Sequence, residues 1–243
     1  MAGIYIHVPF CASRCIYCGF YTTTNLESQN RLVRALCSEL DMRRDYLHNN
    51  TAPYSPIAID TIYLGGGTPS QLNEENLQRL FSAIYNKVEN NSSFEISPNA
   101  EVTMECNPDD ITPQFAQTIA KLPVNRVSMG VQTFDDERLN FLRRRHKSAQ
   151  ITPAVEQLRQ VGVNNISIDL IFGFPKQTLD EWAIDLQKAI ELDVVHISAY
   201  SLMYEEGTPL FKLLQQHRVS EIDESKSLDM FNMLVDTLTA NHY

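Results

Sequence analysis

Three cysteines fall within eight positions, in the order Cys11-Ala-Ser-Arg-Cys15-Ile-Tyr-Cys18. Thiolates are soft ligands suited to iron–sulfur clusters or to zinc. Structural zinc usually takes four protein ligands, whereas this loop supplies three and no cysteine or histidine follows at a matching spacing. Of the other donors, Cys37 lies in the apolar stripe of a helix and reads as core packing. Cys106 and His7 are the groups that could complete a zinc site, so zinc stays open on the spacing alone. A four-iron cubane held by three thiolates would instead keep one iron without a protein ligand. That iron can chelate the amino and carboxylate groups of S-adenosylmethionine and set its sulfonium beside the cluster.

Further residues invite a functional reading. Gly65-Gly66-Gly67-Thr68-Pro69 matches neither a dinucleotide fingerprint nor a P-loop, but glycines let a backbone approach a ligand closely. Glu105 ends a strand-like run, Gln132 follows another, and Asp169 lies inside the apolar run NISIDLIFGFP. A carboxylate in a buried strand needs a partner. Arg144 is one candidate, and a purely structural salt bridge is the alternative. Tyr200 and Met203 either line a cavity or fill it. The run Arg143-Arg144-Arg145-His146 reads as a solvated helix end or as part of the site.

The elements that must position these groups follow from periodicity. Runs rich in β-branched and apolar residues occur at 4–8, 59–64, 101–106, 126–131, 165–172 and 194–202, with segments of helical period between them. One helical stripe runs through Leu32, Val33, Leu36, Cys37 and Leu40, and a second through Leu77, Leu80, Phe81, Ile84 and Val88. Thr112-Pro113 and Thr152-Pro153 each predict a hydroxyl N-cap followed by proline. Thr178 with Glu181 predicts a capping box ahead of Trp182, Leu186 and Ile190. Leu228, Phe231, Val235 and Leu238 mark a last helix. Residues 48–57 and 89–99 read as loops at the edge away from the site.

Six strand–helix units imply a parallel sheet. The candidate residues all follow or end strands, which gathers them at the carboxyl edge, as in barrel enzymes. The expected fold is therefore α/β, a partial (βα)6 TIM-like barrel forming one domain over residues 1–243.

The net charge of -10 argues against a nucleic-acid-binding surface. Five cysteines, three of them clustered, suggest metal chemistry rather than disulfides. The opening residues suit no signal peptide and no stretch approaches a membrane span, so a cytoplasmic protein is expected.

CxxxCxxC with Tyr17 before its last cysteine resembles the signature of the radical S-adenosylmethionine superfamily. The resemblance implies that Cys11, Cys15 and Cys18 ligate a 4Fe-4S cluster and that Tyr17 lies near the adenine. It also implies that the GGGTP segment binds the methionyl ammonium. The ordered motifs HVPFCASRCIYCGF, LGGGTP, ECNP, NRVSMGVQTF, IDLIFGFPKQT and HISAYSLMYEEGTP resemble one branch. That branch contains oxygen-independent coproporphyrinogen III oxidase and the heme chaperone HemW. It implies S-adenosylmethionine contacts at Tyr5, Gly66, Gly67, Thr68, Glu105, Gln132, Arg144, Asp169 and Met203, some of them to a second molecule.

The oxidases carry a further cysteine where this chain has Phe20, and a longer segment before the first strand. Both departures resemble the chaperones, although Gly19 stands where those usually have Asp. Chaperones continue into a region with an HNxxYW motif linked to heme. Here the residues end at Asn241-His242-Tyr243, and His48-Asn49 is not followed by that pattern. A heme or porphyrin site is thus expected outside these residues. A heme-accepting protein and a homodimer are the further partners the resemblance implies.

Overall fold

The computed structural model describes residues 2–47, 56–85 and 93–243. Within them six strands form one sheet: β1 (Ala2–Val8), β2 (Ile57–Gly66), β3 (Phe94–Cys106), β4 (Arg126–Gln132), β5 (Asn165–Phe172) and β6 (His196–Ser201). Eight helices accompany them: α1 (Gln29–Met42), α2 (Glu74–Tyr85), α3 (Pro113–Ala120), α4 (Asp136–Phe141), α5 (Ile151–Gln160), α6 (Leu179–Glu191), α7 (Pro209–Gln215) and α8 (Glu224–Ala240). All neighbours pair in parallel, in the order β1-β2-β3-β4-β5-β6. Strands laid down in sequence by right-handed crossovers put the crossover helices on one face, where α1, α2, α3, α5, α6 and α8 pack against the core, while α7 packs with the cysteine loop in a second, smaller cluster. A doubly wound sheet would reverse its order at a switch point, and this one never does. The result is an open, six-stranded partial barrel with β1 and β6 at its edges.

Side-chain alternation gives the two faces opposite characters. Ile6, Val8, Ile62, Leu64, Val102, Met104, Val127, Met129, Ile166, Ile168 and Leu170 are buried in one core with Leu77, Leu80, Ile119, Val155, Leu158, Trp182 and Leu186 from the helices. The residues between them on the strands face the other way, and these are Tyr5, His7, Tyr63, Glu105, Ser128 and Asp169 among others. The concave face is therefore polar, and the apolar helix-facing side holds the sheet in shape.

Several elements differ from the sequence expectation. Gly65 and Gly66 belong to β2, paired with His7 and Val8, so only Gly67 begins the turn. Residues 94–99 are strand rather than loop: Phe94 and Ile96 pair with Ile57 and Ile59 and pack against the core. The register then shifts, so that Thr61 meets Glu101; the shift accommodates Pro98, which cannot donate to a ladder. Residues 48–55, Val88 and 89–92, which carry the rest of the predicted loops and stripe, lie outside the described residues.

Thr112 and Thr178 cap as expected, accepting from Phe115 N at 3.1 Å and Glu181 N at 3.2 Å. Thr152 does not, because α5 already starts at Ile151 after a short 3-10 turn at Ser148–Gln150. Pro153 is tolerated there since a first-turn N–H has no helical partner to lose.

In α8 the buried residues are Met230 and Leu234, while Leu228, Phe231 and Val235 of the predicted stripe are about half exposed. The Trp182 indole donates to Met230 O at 3.0 Å and selects which of two apolar lines docks. Among the described residues no helix is long and apolar enough to cross a membrane.

A buried carboxylate fixes the turn after β4. Asp185 of α6 accepts from Thr133 Oγ1 at 2.7 Å and from Phe134 N at 2.8 Å. Asp185→Ala leaves both donors unpaired, at about 1–3 kcal/mol each. Thermal denaturation should show a drop of many degrees, and Asp185→Asn, which keeps an acceptor, should recover much of it.

Candidate functional site

One pocket opens at the carboxyl edge, and the loops there bring to it residues far apart in sequence. Its lining includes Cys11, Cys15, Tyr17, Cys18, Gly66, Gly67, Thr68, Glu105, Gln132, Arg144 and Asp169. Tyr5 and Met203 lie outside that lining, both about 60 % exposed. Tyr5 stands one layer further down the concave face, its ring stacked on Tyr63 at 6.1 Å.

The cysteine loop follows β1 and is tied on several sides. Thr23 N donates to Pro9 O at 2.8 Å and Cys11 N to Thr23 O at 3.0 Å. Ile16 N reaches Leu142 O at 3.2 Å, Leu210 N reaches Ile16 O at 2.9 Å, and Arg14 donates to Thr22 O. The thiols of Cys11, Cys15 and Cys18 are free and partly exposed. Burial pushes the Cys11 and Cys18 thiols above their ordinary range, and the neighbouring Cys15 adds to the rise. At Cys11 the Thr68 hydroxyl, 3.5 Å from Sγ, works against it. A bound metal would displace those protons.

Among the described residues no group of three or more His, Cys, Asp or Glu closes on a point that could hold a single metal ion. The two donors that might have completed a zinc site are occupied elsewhere. Cys106 faces the helix side, fully buried, with its thiol toward Met104 O at 3.9 Å. His7 meets Tyr21 O through Nε2 at 3.0 Å and the Tyr5 hydroxyl through Nδ1 at 3.3 Å. Three thiols spread around one pocket suit a polynuclear cluster, in which each iron takes its own thiolate.

The glycine edge needs its glycines. Gly66 has φ +110°, and a Cβ there would run into the His7 ring. At Gly67 a Cβ would meet the Pro9 carbonyl carbon at 2.7 Å. Glu105 holds this edge in place: Oε2 accepts from Gly66 N at 3.0 Å and Oε1 from the Tyr63 hydroxyl at 2.8 Å. Burial, and then the Glu105 charge, raise the Tyr63 phenol.

Arg144 is one of four arginines that line the pocket, with Arg14, Arg143 and Arg145, and it does not pair with Asp169 as the sequence suggested. It donates to Asn107 Oδ1 at 2.5 Å, to Gly130 O at 2.6 Å, and approaches Cys15 Sγ at 3.6 Å. Its Nε is buried without a partner. The Gly130 carbonyl is available because β4 bulges between Met129 and Gln132, and Gln132 takes φ 69°. Bulges next to sites re-aim side chains in this way.

The basic run is not a solvated helix end. Arg145 turns outward onto Asp109 and Asp110 at 2.7 and 2.6 Å. His146 is buried with Nε2 at 3.1 Å from Val131 O, and burial with the nearby Arg144 depresses it to about 3. It is thus neutral, with the proton on Nε2.

Asp169 instead has Ser128 Oγ at 3.5 Å. Burial first, and the Glu105 charge second, raise it to about 6. A raised carboxylate keeps its proton in the folded state after the unfolded chain has lost it. Its contribution therefore erodes stability as pH rises from about 4 to 6, while buried neutral His146 works oppositely below its ordinary value. The difference between wild type and Asp169→Asn isolates the first effect. From pH 5 to 7 the wild type should lose roughly 1–2 kcal/mol relative to the variant, allowing for solvent at the cavity mouth. Parallel denaturant curves with no pH-dependent gap would refute this.

Sequence reasoning did not single out Tyr63, Asn107, Ser128, Asp109 or Asp110. Alternation could have marked Tyr63 and Ser128 as sharing the face of Glu105 and Asp169. Nothing local signals that Asn107 meets Arg144.

A search against family models matches residues 5–189 to the Radical SAM superfamily. The heme chaperone HemW of Bacillus subtilis is 33% identical over 99% of this chain and 61% of its own length. HemW of Lactococcus lactis is 33% identical over 98% and 59%. The chain thus spans about three fifths of the curated relatives it matches. Among solved structures, coproporphyrinogen III oxidase (HemN) from Escherichia coli, described as a radical SAM enzyme, is 25% identical. It aligns with TM-score 0.83 over 100% of this chain and 53% of its own. The Streptococcus suis protein SuiB shares the fold alone, at 13% identity and TM-score 0.63. With the thiol triad, the glycine edge and the partial barrel in place, the chain belongs to the radical SAM superfamily.

Proposed function

We propose that this chain is the radical SAM core of a HemW-like heme chaperone, binding a 4Fe-4S cluster and S-adenosylmethionine. The observation that carries the reading is the convergence of three unpaired thiols, a side-chain-free glycine edge and Glu105 on one pocket. Cys11, Cys15 and Cys18 ligate the cluster and leave one iron for the ligand. Together, cluster and ligand supply one-electron cleavage of a carbon–sulfur bond; the protein binds, orients and excludes water.

The backbone at Gly66, Gly67 and Thr68 lets the methionyl group approach, with Glu105 fixing its edge. Tyr17 provides a partly buried wall for the adenine. Arg144 offsets the charge of the thiolates and offers its partnerless Nε to an acceptor. Gln132 and Asp169 present hydrogen-bonding groups across the pocket, and Tyr5 and Met203 contribute from its margins when the ligand is bound.

Phe20, where the oxidases have a further cysteine, supports the chaperone reading, as do the HemW relatives. Heme or porphyrin, a heme-accepting protein and a homodimer belong to the same proposal, as does a cytoplasmic setting. Oxidative decarboxylation of coproporphyrinogen III is the second reading, favoured by the close superposition on the oxidase.

Electron paramagnetic resonance of the reduced, anaerobically reconstituted protein tests the core claim. The cluster signal should change when S-adenosylmethionine is added, and an unchanged signal would sink the open-iron reading. Vinyl products from coproporphyrinogen III would displace the chaperone in favour of the oxidase. A colourless, zinc-loaded sample would displace both.

A further inference from the structure

Two tiers of hydrogen bonds cross the carboxyl edge; Arg145 and Asp109 of the outer tier also border the pocket, whereas Asp110 lies outside its lining. In the inner tier Arg144 holds Asn107 at 2.5 Å, and Asn107 Nδ2 lies 3.5 Å from Thr68 Oγ1. Arg144 and Thr68 in turn approach the thiols of Cys15 and Cys11. In the outer tier, residues one to three positions further along the same loops repeat the span. Arg145 donates to Asp110 Oδ1 at 2.6 Å, Gln71 Nε2 to the same oxygen at 2.7 Å, and Ser70 Oγ to Oδ2 at 2.7 Å. Arg145 also pairs with Asp109 at 2.7 Å.

The Asp110 side chain is only 8 % exposed. A buried carboxylate is tolerated when its oxygens are satisfied by donors, one of them cationic. Here the donors come from the turn after β2 and from the loop after α4, while Asp110 sits in the turn after β3. Asp110 N donates back to Asn107 O at 3.0 Å, so the carboxylate and the inner-tier amide share one turn. The Gln71 carbonyl is anchored further by Gln29 of α1 at 2.8 Å. One carboxylate therefore sets the spacing of three loops whose inward residues are Thr68, Asn107 and Arg144.

From this arrangement we infer that Asp110, acting through Arg145, Gln71 and Ser70, is a positioning residue that pre-forms the ligand pocket while itself lying outside the pocket lining. Removing it leaves the thiols in place but lets the Thr68 and Arg144 edges drift apart. Ligand affinity falls while cluster content stays. The inference rests on the proposed binding of S-adenosylmethionine.

The test uses the full chain, reconstituted anaerobically, with Asp110→Asn, Asp110→Ala and Arg145→Ala beside wild type. Iron and sulfide per chain, and S-adenosylmethionine binding by calorimetry, are measured on each. Cluster content is expected to equal wild type in all three. Dissociation constants should rise about tenfold in Asp110→Ala, the loss of roughly one charge-assisted hydrogen bond, and less in Asp110→Asn. The double variant Asp110→Ala/Arg145→Ala should weaken binding by less than the two single effects combined, because the Arg145–Asp110 link is lost in each of them. The ligand-induced change in the paramagnetic signal should broaden or shrink, a readout that mere loss of stability in a folded sample does not move.

Unchanged affinity in Asp110→Ala overturns the inference, and so does loss of cluster in step with loss of ligand, which would make Asp110 general scaffolding. If wild type itself binds no S-adenosylmethionine, the functional reading fails instead, and the two failures are distinct.

Discussion

Serine at any one of positions 11, 15 or 18 is expected to reduce cluster iron and sulfide to near background after anaerobic reconstitution. In the proposed cluster each thiolate would serve a different iron, so none could stand in for another. Of the other two cysteines, Cys106 borders the pocket but is buried in the core cluster, and Cys37 packs on α1. Cys37→Ser and Cys106→Ser are the matched controls and should keep the brown chromophore, although Cys106→Ser costs some stability by burying a hydroxyl. The three ligand variants should lose little fold stability, since their side chains are partly exposed and substitutions outside the core usually stay within about 0.5 kcal/mol. A ligand variant that retained full iron with an unaltered spectrum would show that the triad is not the cluster's anchor.

A single methyl group at Gly67 should disturb the pocket more than most side-chain deletions around it. The added Cβ would lie 2.7 Å from the Pro9 carbonyl carbon, 2.8 Å from Pro9 O and 2.9 Å from Phe10 O. All three are backbone atoms, so no rotamer change relieves the contact. Something must shift, and the choices are β2 or the segment that leads into the cysteine loop. Gly67 N is bonded to Val8 O and Pro9 O is held by Thr23 N, both at 2.8 Å, so either movement breaks a tie. Overpacking of this kind costs about 1–3 kcal/mol, or several degrees of melting temperature at roughly 2–4 °C per kcal/mol for a chain of this size. Gly67→Ala should also weaken S-adenosylmethionine binding by at least tenfold, because the cysteine loop and the glycine edge move relative to each other. Calorimetry and a thermal scan on the same sample check both. A variant with wild-type melting and affinity would show that the edge can yield freely.

The architecture was largely legible in the residues. Six apolar runs separated by helical stripes give six parallel strands, because parallel neighbours demand crossovers long enough for a helix. In the structure Glu105 and Asp169 face away from the helices, as the period of two along a strand requires once Met104 and Ile168 are in the core. Strand ends were less legible: Gly65 and Gly66 read as a loop by composition, but pairing with His7 and Val8 carries them into β2. Of the stripe read for α8, Leu228, Phe231 and Val235 are about half exposed and Leu238 packs against the core, while the fully docked residues are Met230, whose carbonyl accepts from Trp182, and Leu234.

What the sequence alone determined about this protein is the set of candidate groups: three thiols within eight positions, followed by a run of three glycines. Those are local facts of residue type and order. What only the tertiary structure decided is the pairing of charges around them. Arg144 turned from Asp169 to Asn107 and Gly130, Cys106 and His7 were removed as zinc ligands, and Asp110 emerged as the tie between loops. Each of these depends on which side chains a curved parallel sheet brings within about 3 Å of one another. No spacing along the chain encodes that distance, because the partners arrive on different strands.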